Sequence, residues 1–166
     1  MPTVVSFIGH QASGKTTLIV ELIPLLAERG YRVGTVKHAP HEKDVDRPGS
    51  DSFLHRLAGA KQTLVFSEAN CALFWEGSSD EKVEDLVERL FGDYDIVIAE
   101  GFKRGPFPKV EVFRRPSSEP RREPLAGEID VLAVVTDEKV ALPDGVERLS
   151  SRRPEEIIEF LEAVIL

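Results

Sequence analysis

The stretch Gly9-His10-Gln11-Ala12-Ser13-Gly14-Lys15-Thr16 constrains this chain more than any other. It has the form G-x-x-x-x-G-K-[ST], and each fixed position has a physical reason. The glycines let the backbone wrap an anion and present successive N–H groups to it. The helix that follows adds the positive end of its dipole. Lys15 can reach β- and γ-phosphates, and the Thr16 hydroxyl can join a magnesium shell. Context supports the match. The loop follows the apolar run Thr3 to Ile8, read as a buried strand, and precedes helical spacing of Leu18, Ile19, Leu22, Ile23, Leu25 and Leu26 over Lys15 to Arg29. A triphosphate-binding loop formed by Gly9, His10, Gln11, Ala12, Ser13, Gly14, Lys15, Thr16 and Thr17 is therefore expected, with Mg²⁺.

Gly30 is placed to stop the helix, and Pro24 inside it predicts a kink. Arg32 to Val36 reads as a second strand, which completes one right-handed βαβ unit. A polar loop from His38 to Gly49 follows, then a short helix capped by Ser50 or Asp51 and running to about Ala58. Gln62 to Ser67 and Cys71 to Glu76 read as a hairpin. Ser78 and Glu81 have the capping-box spacing, ahead of a stripe of Val83, Leu86, Val87 and Leu90. Strands are expected at Asp95 to Ala99, Lys109 to Phe113 and Val131 to Val135. Arg114 to Glu128 reads as a mobile loop, and Pro154 opens a last amphipathic helix. Strands flanked by helices give an α/β three-layer P-loop NTPase fold with a mainly parallel sheet. Residues 1–166 are read as a single domain.

Composition narrows the classes. The net charge of −8 removes the overall attraction to nucleic acid that a basic domain has, so none is expected as a ligand. No stretch approaches the roughly 18 apolar residues of a membrane span. A single cysteine, Cys71, cannot build an internal disulfide and points to a cytoplasmic setting. Cys71 is expected to be buried and inert, and Trp75 to lie in a core or interface. Against the acidic background, Lys103, Arg104, Lys109, Arg114, Arg115, Arg121 and Arg122 make one basic stretch. Of these, Lys103, Arg114, Arg115, Arg121 and Arg122 are candidates for binding an anion or an acidic partner. They could form a lid over phosphates, as in a P-loop small-molecule kinase, or a solvated loop.

Glu100 ends an apolar strand, where an acidic residue can support magnesium beside Thr16. The loop from Lys37 to Asp46 reads first as a switch loop in which Asp44 or Asp46 touches the magnesium shell. It reads second as a solvated loop, and a distant third as a metal site of His38, His41 and a carboxylate. His10 and His55 read as structural or loop-lining. Chain pairing through Leu64–Trp75 or Lys109–Phe113 is a further expectation.

Several motifs then occur in order. The phosphate loop through Leu18 is followed by Thr35-Val36-Lys37-His38 and His41. Next come Asp44, Asp46, Pro48-Gly49-Ser50-Asp51-Ser52, His55-Arg56 and Ala58-Gly59-Ala60. Glu100-Gly101-Phe102-Lys103 and Pro108-Lys109-Val110-Glu111-Val112-Phe113-Arg114 complete the set. Over roughly residues 1 to 137 this resembles the MobB family of molybdopterin-guanine dinucleotide biosynthesis adaptors. The resemblance implies a GTP-binding, weakly GTP-hydrolysing homodimer. Such a protein assists a guanylyltransferase-type partner that attaches GMP to molybdopterin, with molybdopterin itself or a molybdoenzyme chaperone as further partners. It also implies that Thr16 and Glu100 serve Mg²⁺ and that Asp46 and the segment from Pro48 to Ser52 face the γ-phosphate. No N-K-x-D element is present; Thr136-Asp137-Glu138-Lys139 does not match it. GTP over ATP therefore rests on the resemblance.

Overall fold

The computed structural model describes residues 2–40, 44–78, 80–119 and 121–166. Where the sequence reading has one domain over 1–166, the chain gathers into two compact units. One comprises Met1–His38 with Leu86–Leu166, the other Ala39–Asp85.

The larger unit is built on a sheet in the order β2-β5-β1-β6-β7-β8, every described pairing parallel. Its strands are β1 (Thr3–Ile8), β2 (Val33–Lys37), β5 (Ile96–Glu100), β6 (Lys109–Val112), β7 (Ala133–Val135) and β8 (Glu147–Leu149). Unbroken apolar runs suit strands covered on both faces. On one face, Val5, Phe7, Ile98, Val110 and Val135 pack against Leu18, Leu22 and Leu26 of α1 (Lys15–Glu28) and Ile157, Ile158 and Leu161 of α4 (Pro154–Val164). Pro24 lies inside α1 without ending it. On the other face, Ile8, Phe113 and Val134 are covered by Ala126 and Val131, with Leu125 and Ile129 beside them. A 3-10 turn, Leu125–Gly127, closes what reads from sequence as one long loop.

The smaller unit holds α2 (Asp51–Leu57) and an antiparallel hairpin of β3 (Gln62–Phe66) and β4 (Cys71–Trp75). Ser50 caps α2 by accepting from Phe53 N at 3.2 Å. α3 (Val83–Phe91) runs from the end of this unit into the larger one.

Four local expectations are corrected. Ser78 does not cap α3, which starts at Val83; Ser78 O instead accepts from Glu81 N in a turn, and Glu81 Oε2 accepts from Trp75 Nε1 at 3.3 Å. Of the apolar stripe only Val87 is buried, while Leu90 is exposed. Cys71 is exposed, because the hairpin face that carries it has no covering layer within its own unit. β6 is hydrogen-bonded to β1 on one side and β7 on the other, so Lys109–Val112 offers no free edge for pairing with a second chain.

Candidate functional site

The carboxyl ends of β1, β5, β6 and β7 open on one edge of the sheet, where ligands of open α/β folds bind. Register fixes what meets there. Phe7 lies opposite Glu100, and Ile8 opposite Glu111, so the chain leaving β1 at Gly9 passes between two carboxylates. Only glycine fits at position 9. A Cβ there would stand 2.3 Å from the Val112 carbonyl oxygen and 2.8 Å from Ser13 Oγ, at a φ of 152°. Gly14 turns into α1 at φ 93°, and Ala12 also has a positive φ, 59°.

α1 begins differently from the other helices. No side-chain oxygen caps it and no acidic residue lies in its first turn. α2, α3 and α4 each carry at least one acidic residue there. The positive N-terminal end of α1 is thus left without a negative side chain of its own, the arrangement that receives an anion.

Lys15 lies across the loop. Its Nζ donates to His10 O at 2.6 Å and, at 3.4 Å, to Gly9 O and Ser13 Oγ. Burial lowers the ammonium pKa below its ordinary value, against the pull of Glu100, while nearby Lys103 lowers it further. Thr16 Oγ1 donates to Glu100 Oε1 at 2.8 Å. A hydroxyl and a carboxylate side by side at the helix start are hard oxygen donors of the kind magnesium takes, so the residues fit that ion. Just past Glu100 the chain bends through two left-handed residues, Gly101 at φ 96° and Phe102 at φ 56°. Such a conformation is rare for an aromatic residue. Phe102 is held in it by stacking on His38, 4.8 Å between ring centroids, and by an edge contact with Phe107.

The basic stretch divides into two kinds of residue. Arg115 donates through Nε to Arg122 O at 3.0 Å and reaches Glu123, while its backbone N–H donates to Glu138 Oε1 at 2.5 Å. Arg122 pairs with Glu119. These two hold the segment together. Lys103, Arg114 and Arg121 are exposed. His10 meets this segment directly, with Nε2 3.1 Å from the carbonyl oxygen of Glu123.

Glu111 is a site residue that sequence reading misses. It is fully buried, and its two oxygens accept from Leu125 N at 2.7 Å and Ala126 N at 2.9 Å. Burial raises its pKa, against the opposing effect of those two N–H groups. It ties the 3-10 turn to the strand beside the phosphate loop. Its alternation with Val110 and Val112 puts it on the opposite face of β6, and nothing in that pattern marks it as buried or partnered.

Asp46 lies in the smaller unit. It is 8% exposed; Oδ1 accepts from Ser50 Oγ at 3.1 Å and Ser52 Oγ at 3.2 Å, and Oδ2 lies 3.4 Å from an Arg56 nitrogen. Asp44 accepts from Asp46 N and from Arg56, and those bonds lower its pKa. His55 is exposed on α2. His41 lies outside the described residues. Among the described residues no three His, Cys, Asp or Glu side chains gather into a metal cluster.

The family model for molybdopterin guanine dinucleotide synthesis protein B matches residues 4–137. The chain belongs to the MobB family. It is 39% identical over 140 residues to the molybdopterin-guanine dinucleotide biosynthesis adapter protein of Escherichia coli K12, covering 82% of this chain and 79% of that one. The adapter protein of Haemophilus influenzae is 34% identical over 159 residues, covering 93% and 84%. A crystal structure of molybdopterin-guanine biosynthesis protein B superposes with a TM-score of 0.76 at 31% identity, over 97% of this chain and 99% of the other. The MobB of Bacillus subtilis, at 23% identity and a TM-score of 0.73 over 96% of both chains, shares the fold. The six-stranded sheet with its phosphate loop is thus the P-loop NTPase fold of MobB proteins.

Proposed function

We propose that this chain is a GTP-binding adaptor in molybdopterin guanine dinucleotide biosynthesis. In this reading residues 9–17 hold the triphosphate with Mg²⁺ at Thr16 and Glu100, and hydrolysis is slow. The nucleotide state governs assistance to a guanylyltransferase-type partner that attaches GMP to molybdopterin; molybdopterin itself or a molybdoenzyme chaperone is engaged in turn. The observation that carries it is the Thr16–Glu100 pair beside an α1 start left without an acidic residue. Lys15 supplies positive charge to the same loop. The adapter role comes from the relatives in Escherichia coli and Haemophilus influenzae, which bear that description.

Slow hydrolysis is favoured because, among the described residues, the two carboxylates whose strands flank β1 are both engaged. Glu100 is engaged with Thr16 and Glu111 with two backbone N–H groups. The kinase reading with an Arg lid gains less support, since Arg115 and Arg122 are engaged within their own segment. Asp46 enters the reading by the family resemblance alone. A homodimer is part of the proposal, through the hairpin that exposes Leu64 and Phe66. No described helix is long and apolar enough to cross a membrane; a cytoplasmic setting is part of the proposal.

The test is calorimetric titration of GTP with Mg²⁺, followed by addition of the protein to a guanylyltransferase reaction. Lys15→Ala is expected to weaken triphosphate binding by at least about a hundredfold, as loss of a charged hydrogen bond and a phosphate partner implies, while far-UV circular dichroism stays unchanged. Unaltered affinity in that variant, or no effect of the wild type on dinucleotide formation, overturns the reading.

A further inference from the structure

Among the described residues, two side-chain hydrogen bonds tie the phosphate loop to other parts of its unit. Thr16 reaches Glu100 at the end of β5. On the other side of β1, toward β6, His10 Nε2 stands 3.1 Å from the carbonyl oxygen of Glu123. A carbonyl only accepts, so this nitrogen carries the proton and donates. The first bond belongs to the magnesium site. The second joins the loop to a segment far along the chain.

The far end of that bond is itself held. Just past Glu123, Leu125 N and Ala126 N donate to the carboxylate of Glu111, at 2.7 and 2.9 Å. Arg115 adds contacts to Arg122 O and to the Glu123 side chain. Glu111 lies in β6 opposite Ile8, the residue before Gly9. The contacts therefore close a ring. It runs from Ile8 through Gly9 to His10, across to Glu123, along to Leu125, back to Glu111 and across the sheet to Ile8. A fully buried carboxylate is a costly way to fasten a turn. Burial raises its pKa; the two N–H groups, and after them His10 and Lys103, act against the rise. An apolar residue in its place would fill the space and leave both N–H groups unfastened.

The loop has strain for such a ring to hold. Ala12 has a φ of 59°, rare for a residue other than glycine, and Gly9 lies close against the Val112 carbonyl oxygen. Backbone of this kind persists only where its surroundings over-determine it. His10 is gripped from both directions, its carbonyl by Lys15 inside the loop and its ring by Glu123 outside. A loop already in its anion-receiving shape has less order to gain when the ligand arrives. We propose that His10 is a positioning residue for triphosphate binding, holding the loop open through Glu123 with Glu111 behind it. The inference rests on the phosphate-loop reading above and adds how that loop is held. Coupling of this kind is reciprocal: if the fastened turn favours phosphate, bound phosphate favours the fastened turn. The segment Glu123–Gly127 is thus where occupancy of the loop is felt outside it.

The experiment is calorimetry with Mg²⁺ and GTP on the full chain, joined to hydrogen exchange followed by NMR. His10→Ala is expected to weaken binding about fivefold, the worth of one hydrogen bond. His10→Gln is expected to restore it, because the glutamine amide places an N–H the same number of bonds from the backbone. Glu111→Gln turns a donor toward one of the two N–H groups. It is expected to weaken binding alone and to add nothing to His10→Ala. Saturating nucleotide is expected to slow exchange of the Leu125 and Ala126 amides about fivefold in wild type and to leave them unchanged in His10→Ala. A histidine that merely supports the fold would leave those amides indifferent to the nucleotide.

Unchanged affinity in His10→Ala, an equal loss in His10→Gln, additive losses in the double variant, or wild-type amides that ignore the nucleotide would each overturn the inference while the phosphate loop stands. Wild type that binds no GTP overturns the loop reading, and the inference with it. Should Glu111→Gln not fold, exchange in wild type and His10→Ala decides.

Discussion

Phe7 in β1 is completely buried, whereas Phe66 in β3 is 77% exposed. Both belong to short apolar runs that spell strand equally well. The difference is made by what surrounds the strand. β1 has a hydrogen-bonded neighbour on each side, helices over one face and the 3-10 segment near the other. The β3–β4 hairpin has one pairing and, within its own unit, α2 packed near β3. A two-stranded ribbon is marginal alone in water, and Leu64, Val65 and Leu73 are exposed along with Phe66. Strand pattern thus tells local shape, while burial depends on how many layers the topology brings to it.

The largest test of this contrast is a pair of truncations. Phe7→Ala is expected to cost about 3–5 kcal/mol of stability, and Phe66→Ala to stay within about 0.5 kcal/mol, both read by urea denaturation of the monomer. Equal losses would mean that the ribbon is packed as tightly as the sheet.

Next come the two buried acids. Glu111→Ala removes the acceptor of two backbone N–H groups and is expected to cost about 2–4 kcal/mol. Asp46→Ala removes contacts to two hydroxyls and an arginine that keep some access to water, so about 1–2 kcal/mol is expected. Thermal unfolding of both variants ranks them, and the reverse order would break the comparison.

The smallest effect is a difference in sign with pH. The folded pKa of Asp44 is lowered, so its contribution to stability is present above the ordinary value of 3.8 and is lost as pH falls through the folded one. The folded pKa of Glu111 is raised, so its contribution is present below the ordinary value of 4.5 and is lost as pH rises through the folded one. Acidification from pH 5 to pH 3 should therefore loosen amides around Asp44 and Asp46 before those of Leu125 and Ala126. Hydrogen exchange followed by NMR at the two pH values reads both; uniform loss of protection would refute it.

Much of this was legible in the residues. The phosphate loop, α1 and the long buried strands show themselves because chemistry and period coincide over six or more positions. The meeting of Glu100 with Thr16 was legible from its place at the end of an apolar run. β8 was not, since Glu147-Arg148-Leu149 is three residues with one inward side chain, too short for a period to register. Ser78 and Glu81 had the right spacing for a cap, yet an indole N–H donates to that glutamate and the helix starts later. Cys71 was misjudged because apolar neighbours along the chain say nothing about a layer above them. His10 and Glu111 gained meaning only from partners distant in sequence: Glu123 for one, Leu125 and Ala126 for the other.

The ammonium of Lys15 shares its charge with three oxygens of its own loop. Any phosphate that enters must draw the lysine off these oxygens, so binding is an exchange of partners rather than a simple addition. Part of the attraction is cancelled by the bonds given up. On departure the carbonyls receive the ammonium again, which lowers the barrier to letting go. A loop that serves as its own placeholder is suited to a ligand that must come and go.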